Sequence, residues 1–133
     1  MKAYFGDGGR ILFAHRGGAK RFPENTLHAF EQAYELGFRW IETDVHRSAD
    51  GVIVVHHDPT LERTTSGRGP LRERTLVELR ALDAGYRFTR DGRSFPFRGL
   101  GLTIPTLEEA FGLAPDLRLN LEMKGDDPGL PKA

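Results

Sequence analysis

The chain has 133 residues, of which 38% are apolar and 29% charged, and this is typical of a single globular domain rather than a disordered or fibrous chain. Its 19 basic residues balance 19 acidic ones, so we expect no bulk electrostatic binding to nucleic acid. Cysteine is absent, which excludes disulfide bonds, thiolate zinc sites and cysteine nucleophiles. The longest aliphatic run, Val52 to Val55, is too short to cross a bilayer, and no leader-like segment opens the chain. We therefore expect a cytoplasmic protein without an integral membrane segment.

The first half of the chain predicts a strand, a helix and two further strands. The apolar run 11–14 precedes polar residues and two glycines, a pattern typical of a buried strand that ends in a turn. From Asn25 onward, apolar residues recur at helical spacing as far as Gly37, where we expect the helix to end. Strands are predicted at 40–45 and 52–57, because apolar stretches there flank a polar turn.

The second half predicts two short helices and a last strand. A threonine with a glutamate three residues later, at 75–78 and again at 106–109, has the spacing of a helix capping box. Alternating apolar and polar residues over 117–123 predict a strand. The stretch 66–103 is interpreted as a connecting excursion with an ordinary surface loop. This order of elements predicts an α/β chain built of successive parallel βα units.

Ionisable residues follow the end of each predicted strand, and in parallel α/β folds this rim is where active sites are assembled. Glu42 and Asp44 project to the same side of their strand, because side chains in a strand alternate between its faces. Two such carboxylates repel each other unless one is protonated or a cation lies between them. A third carboxylate from Glu122 would complete the all-oxygen ligand set that Mg²⁺ and Ca²⁺ prefer. A solvated strand end without a metal is the alternative interpretation of the Glu42–Asp44 pair.

Two histidines on the same rim, His15 and His57, are candidates for a general acid and a general base. A lone histidine is more often a surface or capped core residue, and the case for this pair depends on its place beside the carboxylates. Arg16 and Lys124 add two positive charges suited to a phosphate or a carboxylate. The remaining histidines are not assigned to this chemistry: His28, His46 and His56.

Four segments carry these residues: AHRGGAKRFPENTLHAF at 14–30, WIETDVHRSADGVIVVHHDPTLERTT at 40–65, IPTLEEAF at 104–111 and LRLNLEMK at 117–124. Together they resemble the glycerophosphodiester phosphodiesterase family, whose pattern they follow in the same order. The resemblance covers most of the chain and is far more specific than a single His-Arg-Gly match.

The resemblance implies a TIM-type (β/α) barrel whose site lies at its C-terminal mouth. It implies an enzyme of phospholipid turnover that hydrolyses glycerophosphodiesters, such as glycerophosphocholine, to sn-glycerol 3-phosphate and an alcohol. The substrate's neighbouring glycerol hydroxyl would attack first, and water would then open a cyclic phosphate. Glu24 and Asn25 would shape the rim, although Asn25 is equally well explained as a helix cap. The roles implied for the site residues are as follows: His15 and His57 catalyse, Glu42, Asp44 and Glu122 bind one Mg²⁺ or Ca²⁺, and Arg16 and Lys124 contact the phosphate.

A complete barrel of this type needs about 250 residues, so we expect residues 1–133 to be a partial domain, the N-terminal half of the barrel with about four βα units. An open half-barrel leaves sheet edges unpaired and an apolar face exposed, and we therefore expect self-association. Two alternatives stay open. One is an inactive half-barrel that only binds phosphate compounds or self-associates. The other is a phospholipase D-like enzyme, which the lack of cysteine and of a secretion signal disfavours.

Overall fold

The computed structural model describes residues 13–124, so Ile11 and Leu12 of the first predicted strand lie outside it. None of the helices in this range is long and apolar enough to cross a membrane. Four strands in this range form one sheet: β1 (Phe13–His15), β2 (Trp40–Arg47), β3 (Ile53–Val55) and β4 (Arg118–Met123). The same range contains three α-helices and one 3-10 turn: α1 (Leu27–Glu35), the turn Leu71–Glu73, α2 (Leu76–Arg80) and α3 (Leu107–Phe111).

β2 is the central strand of the sheet, and the other three strands all pair with it. β1 and β4 run parallel to β2, and in the β4 ladder Asp44 is the partner of Glu122. Val45 pairs with Val55 of β3 and also with Met123 of β4, so these two strands lie on opposite edges of β2. The carboxyl ends of three parallel strands therefore meet at one edge of the sheet, as a barrel rim requires.

The direction of β3 differs from the expectation of successive parallel units, because β3 runs antiparallel to β2. Only residues 48–52 connect the two strands, whereas a parallel connection needs a crossover of roughly a dozen residues or more. The Ser48 hydroxyl closes this turn by accepting a hydrogen bond from the Val52 backbone at 2.9 Å, and Gly51 has a φ of 86°. The segment that follows β3 nevertheless lies at the rim, because the His56 backbone donates to the Asp44 carbonyl.

Helix α1 forms as its spacing predicts, and it covers the outer face of the sheet. Thr26 caps it by accepting a hydrogen bond from the Ala29 backbone at 3.1 Å, and Gly37 follows its end with a φ of 102°. Its buried residue Phe30 belongs to the same apolar cluster as Ile41 of β2. Burying such a side chain stabilises the fold by about 1.5–3 kcal/mol, which fixes α1 and the loop before it against β2.

Both predicted capping boxes are present, at the N-termini of α2 and α3. Part of the excursion is more ordered than a surface loop, because Leu71 and Leu79 are fully buried. They pack in a second apolar cluster with Val54 of β3 and Ile104. The remainder, residues 86–101, contains no helix or strand and is mostly exposed, as predicted.

Candidate active site

Three carboxylates form a compact group on the rim, which we call the carboxylate cluster: Glu42, Asp44 and Glu122. One oxygen from each lies within 4.8 Å of the others. The sheet produces this arrangement, because Glu42 and Asp44 are two residues apart on β2 and Glu122 is the register partner of Asp44 on β4. Asp44 is almost fully buried, whereas the Glu122 side chain is 60% exposed.

The surroundings of Glu42 fit a cation in this cluster. Burial raises the pKa of its carboxyl, and the neighbouring charge of Asp44 raises it further. Its Oε2 atom is buried and has no hydrogen-bond partner in the part of the chain that the structure describes. His15 Nε2 approaches that oxygen to 3.1 Å. A divalent cation would complement this oxygen and remove the repulsion between the carboxylates.

Two cationic side chains flank the carboxylate cluster. Lys124 Nζ lies 2.9 Å from a Glu122 oxygen and 3.7 Å from Asp44 Oδ1. The hydrogen bond between Lys124 and Glu122 raises the pKa of the lysine and lowers that of the glutamate. Arg16 Nε lies 3.6 Å from Asp44 Oδ2, and it is buried without a hydrogen-bond partner among the described residues. The arginine therefore places its positive charge against the buried carboxylate of Asp44.

The backbone conformation of Arg16 positions its side chain. Its φ is 50°, in the left-handed region that non-glycine residues seldom occupy. The Arg16 backbone donates to the Glu42 carbonyl at 2.7 Å, and its carbonyl accepts from the Asn25 backbone at 2.9 Å. Nη1 of Arg16 donates to Glu24 at 3.1 Å. These contacts tie the turn after β1 to both β2 and the start of α1.

His57 is held at its ring and at its backbone. Its Nδ1 lies 2.7 Å from Asp58 Oδ1. Hydrogen bonds from Arg63 lower the pKa of Asp58 well below its usual range, so this carboxylate is ionised and accepts the Nδ1 proton. Nε2 of His57 is then the ring nitrogen that does not face Asp58. His46 Nε2 donates to the His57 carbonyl at 2.9 Å, and burial lowers the pKa of His46, which favours its neutral form.

Arg63 joins two parts of the site that are distant in sequence. It donates to Asp58 Oδ2 and Oδ1 at 2.8 and 3.0 Å, and to Glu24 Oε1 and Oε2 at 2.7 and 2.9 Å. Burial acts to raise the pKa of Glu24, but the hydrogen bond and charge of Arg63 and the charge of Arg16 outweigh it and lower that pKa. The Arg63 guanidinium thus holds both Asp58, which contacts His57, and Glu24, which contacts Arg16.

The interpretation of Asn25 as a helix cap is wrong, because Thr26 is the cap of α1. Asn25 has a φ of 55°, and its buried amide accepts a hydrogen bond from Thr43 at 2.7 Å and donates to Asp44 Oδ2 at 3.3 Å. It therefore orients a member of the carboxylate cluster, and Glu24 likewise contacts Arg16. Both residues contact the rim, as the family resemblance implied.

The structure brings the seven candidate residues to one rim, at different depths. His15 is at the exposed end, next to Glu42, and its side chain is 63% exposed. His57 follows His56, whose backbone donates to the Asp44 carbonyl at 3.0 Å, so it lies beside β2 at the same rim. The other histidines serve packing: His56 is buried and donates to the Thr60 carbonyl at 3.1 Å, and His28 stacks against Phe97.

The sequence interpretation left out Arg63 and the structural roles of Asp58 and His46. The signal for Arg63 was weak, since a lone arginine five residues after Asp58 is ordinary for a loop. All three lie inside the segment 40–65 that carried the family resemblance, which was the available signal.

The sequence of this chain is similar to those of known proteins. The sequence model of the glycerophosphoryl diester phosphodiesterase family matches residues 15–128. A glycerophosphodiester phosphodiesterase from Caldanaerobacter subterraneus is 46% identical over 116 residues, which are 86% of this chain and 45% of that protein.

Solved structures show the same relationship. A glycerophosphoryl diester phosphodiesterase domain from Mycobacterium tuberculosis superposes with a TM-score of 0.81 at 38% identity, over 85% of this chain and 43% of the other. An Oleispira antarctica phosphodiesterase in complex with the product sn-glycerol-3-phosphate gives a TM-score of 0.74 at 40% identity, over 86% of this chain and 44% of the other. The chain spans less than half the length of these relatives, and its sheet and helices form the N-terminal half of a TIM-type barrel. The chain belongs to the glycerophosphoryl diester phosphodiesterase family.

Proposed function

We propose that this chain carries the catalytic residues of a metal-dependent phosphodiesterase that hydrolyses glycerophosphodiesters to sn-glycerol 3-phosphate and an alcohol. The observation that carries this proposal is the meeting of the carboxylate cluster with two histidines and two cationic side chains at one rim. The relative from Oleispira antarctica, whose solved structure contains the product sn-glycerol-3-phosphate, supports this class of substrate.

The carboxylate cluster would hold one divalent cation, Mg²⁺ or Ca²⁺. Its donors are all carboxylate oxygens, which suits these hard cations better than zinc or copper. The buried Glu42 oxygen without a hydrogen-bond partner among the described residues supports the same assignment. When bound, the cation would offset the negative charge that accumulates on the phosphoryl oxygens.

Arg16 and Lys124 would bind the phosphate from two sides. Arg16 Nε lies 3.6 Å from Asp44 Oδ2, and Lys124 Nζ lies 2.9 Å from Glu122 and 3.7 Å from Asp44, so both positive charges adjoin the carboxylate cluster. A phosphodiester carries one negative charge, and attack on it adds further charge to the same oxygens. Both side chains therefore act most strongly on the transition state.

The two histidines would move the protons. In the first step, one accepts the proton of the substrate's neighbouring glycerol hydroxyl, and that oxygen bonds to phosphorus. The other donates a proton to the leaving alkoxide, so a cyclic phosphate and a free alcohol form. In the second step water opens the cyclic phosphate, the two histidines exchange roles, and sn-glycerol 3-phosphate is produced. Asp58 fixes the ring of His57 for both steps.

Release of glycerol 3-phosphate from glycerophosphocholine tests this proposal in the purified chain, with Mg²⁺, with Ca²⁺ and with a chelator. We expect turnover only with a cation, and a loss of about 100-fold or more in His15→Ala and in His57→Ala. The matched control His28→Ala removes an imidazole outside the rim and should retain turnover. Activity that survives the chelator contradicts the metal assignment, and near-normal turnover of His57→Ala contradicts the acid–base pair.

A second candidate is a half-barrel that binds phosphate compounds and associates with another copy. The exposed side chain of Leu36 and a cavity of about 410 Å³ beside β1, which Ala14 and Phe38 also line, support an apolar contact surface. Phosphate binding without turnover, together with a dimer mass in light scattering, would favour this candidate. A monodisperse monomer with a sharp melting transition would contradict the self-association.

A further inference from the structure

A cavity of about 460 Å³ lies between the turn after β1 and the loop 86–101, outside the carboxylate cluster. Its volume is within the range of small-molecule sites, about 300–1,000 Å³. Pro23, Ala84 and Phe88 give it an apolar wall, and Glu24 and Arg63 form the side that faces the candidate active site. Its charged lining is mainly basic, with Lys20, Arg87 and Arg90 added to Arg63.

Of the four basic residues in this lining, only Arg63 is paired with carboxylates among the described residues. Among residues 13–124, neither Lys20 nor Arg87 nor Arg90 makes an ion pair with a carboxylate. Glu24, the carboxylate in the lining, is already paired with Arg16 and with Arg63. The cavity therefore combines an apolar wall with an excess of positive charge, which favours an anion with an organic part.

Two of these guanidinium groups are held in place by contacts other than ion pairs. Arg87 Nε donates to the Thr65 carbonyl at 3.4 Å, and its guanidinium lies 5.1 Å from the centre of the adjacent tyrosine ring. Arg90 donates to the Arg21 carbonyl, and its guanidinium lies 5.2 Å from the centre of the Phe88 ring. Backbone carbonyls and aromatic rings orient a guanidinium without neutralising it, so both keep their full charge for a ligand.

We propose that this cavity is a second anion site, separate from the candidate active site, that binds a phosphate monoester dianion through Lys20, Arg87 and Arg90. The planar guanidinium groups match the geometry of phosphate oxygens. Phe88 and Ala84 contact the organic part of the ligand. The site binds its ligand without chemistry, so it does not rest on the hydrolytic activity proposed above.

The test is a titration of the ¹⁵N-labelled 133-residue chain with inorganic phosphate or with glycerol 3-phosphate, in chelator and against chloride of equal ionic strength. We expect saturable shifts at the backbone amides of 19–24 and 84–90 with either probe. Equal affinities for the two probes would show that free phosphate is a sufficient ligand. Tighter binding of glycerol 3-phosphate than of inorganic phosphate would show that the site prefers an organic phosphate. Shifts that do not saturate, or that are absent from both segments, would overturn the site.

Substitutions of the lining residues test whether the anion binds in this cavity. The double variant Arg87→Gln with Arg90→Gln should weaken binding about 100-fold, since each charge-assisted hydrogen bond is worth about tenfold. Lys20→Gln should weaken phosphate binding by a smaller factor. Because the Lys20 side chain is exposed, this substitution should not affect folding. Arg93→Gln is the matched control, because it removes a charge from the same loop but does not line the cavity. An equal loss in Arg93→Gln would show non-specific attraction and overturn the site.

Lys124→Gln separates this site from the candidate active site. The substitution removes a proposed phosphate contact at the rim and leaves the cavity lining intact. Binding should persist in Lys124→Gln, and its loss there with retention in the arginine double variant would place the anion at the rim and overturn the proposal. Failure to release glycerol 3-phosphate from glycerophosphocholine would instead overturn the proposed function and leave this site unaffected.

Discussion

The carboxylate cluster and the loop 86–101 are both rich in charge, yet different forces hold them. In the cluster, Asp44 and Glu122 are neighbours because β2 and β4 pair in register. In the loop, which contains no helix or strand, the Arg98 guanidinium lies 3.9 and 4.0 Å from the centres of the Tyr86 and Phe95 rings. A backbone ladder fixes side chains more narrowly than contacts with aromatic rings do, so the carboxylate cluster is the more rigidly positioned of the two regions.

The largest expected difference is in stability, between the apolar core that packs α1 against β2 and the loop 86–101. Phe30→Ala should lower the free energy of unfolding by about 3–5 kcal/mol, because this fully buried ring packs α1 on the sheet. Phe97→Ala should cost about 1–2 kcal/mol, because that half-buried ring makes edge-to-face contacts with Phe22 and Phe88. Urea denaturation followed by circular dichroism measures both. Equal losses would show that the loop is part of the main core.

The next comparison removes one carboxylate charge from each region. Asp44→Asn should weaken Mg²⁺ or Ca²⁺ binding by about 100-fold or more, since even the loss of a residue that only supports a metal ligand costs about 10–100-fold. Asp91→Asn should leave the affinity unchanged, because Asp91 caps a turn in the loop by accepting from the backbones of Arg93 and Ser94. Calorimetric titration with each cation measures the effect. Unchanged affinity in Asp44→Asn would contradict the metal site.

Arg63→Lys tests whether the rim depends on its supporting guanidinium. A lysine keeps the charge but loses the fork that spans Glu24 and Asp58, so the ring of His57 should lose its fixed orientation. We expect turnover to fall about tenfold, and the ¹⁵N signals of His57 to show both ring tautomers. Arg74→Lys, in an exposed ion pair with Glu78, is the control. A single unchanged tautomer would contradict the positioning role of Arg63.

The smallest expected effect is at α3, where the chain returns from the loop to the sheet. Hydrogen bonds from Arg80, and from the backbone and side chain of Thr106, lower the pKa of Glu109 from 4.5 to about 2. A pKa that is lower in the folded state stabilises the protein above about pH 4.5, and this stabilisation is lost as the pH falls towards 2. Because the side chain is partly exposed, the effect should be about 0.5 kcal/mol.

Glu109→Gln should therefore show a weaker loss of stability than the parent chain between about pH 5 and about pH 2.5. Unfolding free energies measured across that range provide the check. The same slope in both proteins would show that the ion pair of Arg80 with Glu109 contributes nothing measurable.

Local patterns in the sequence were sufficient for much of the fold and of the candidate site. The helical spacing of α1 and both capping boxes depend on residues within one or two turns, and all three are present. Strand alternation places Glu42 and Asp44 on one face, and β4 then brings Glu122 to them. The helix, the caps and the shared face of Glu42 and Asp44 follow from short-range rules, so sequence alone could predict them. The place of Glu122 depends on the long-range pairing of β4 with β2, which the order of predicted parallel strands and the family resemblance implied.

Long-range contacts account for what the sequence did not predict. Arg63 acts on Glu24, which is 39 residues away, and no local pattern signals this contact. Asn25 contacts Asp44 across the turn, although its position before Thr26 equally favoured a cap. The direction of β3 was predictable in principle, since the connection of 48–52 is too short for a crossover.

The pairing of β4 with β2 has a consequence for how this chain tolerates insertions and deletions. Neighbouring residues of β4 point to opposite faces, so one residue added before Glu122 within Arg118–Met123 would turn its carboxylate away from Asp44 and bring an aliphatic side chain to that place. Extra residues in 112–116, before the buried Leu117 and the strand, would lengthen the turn and leave the ladder as it is. Natural length variation among relatives should therefore concentrate in that turn and be absent from β4.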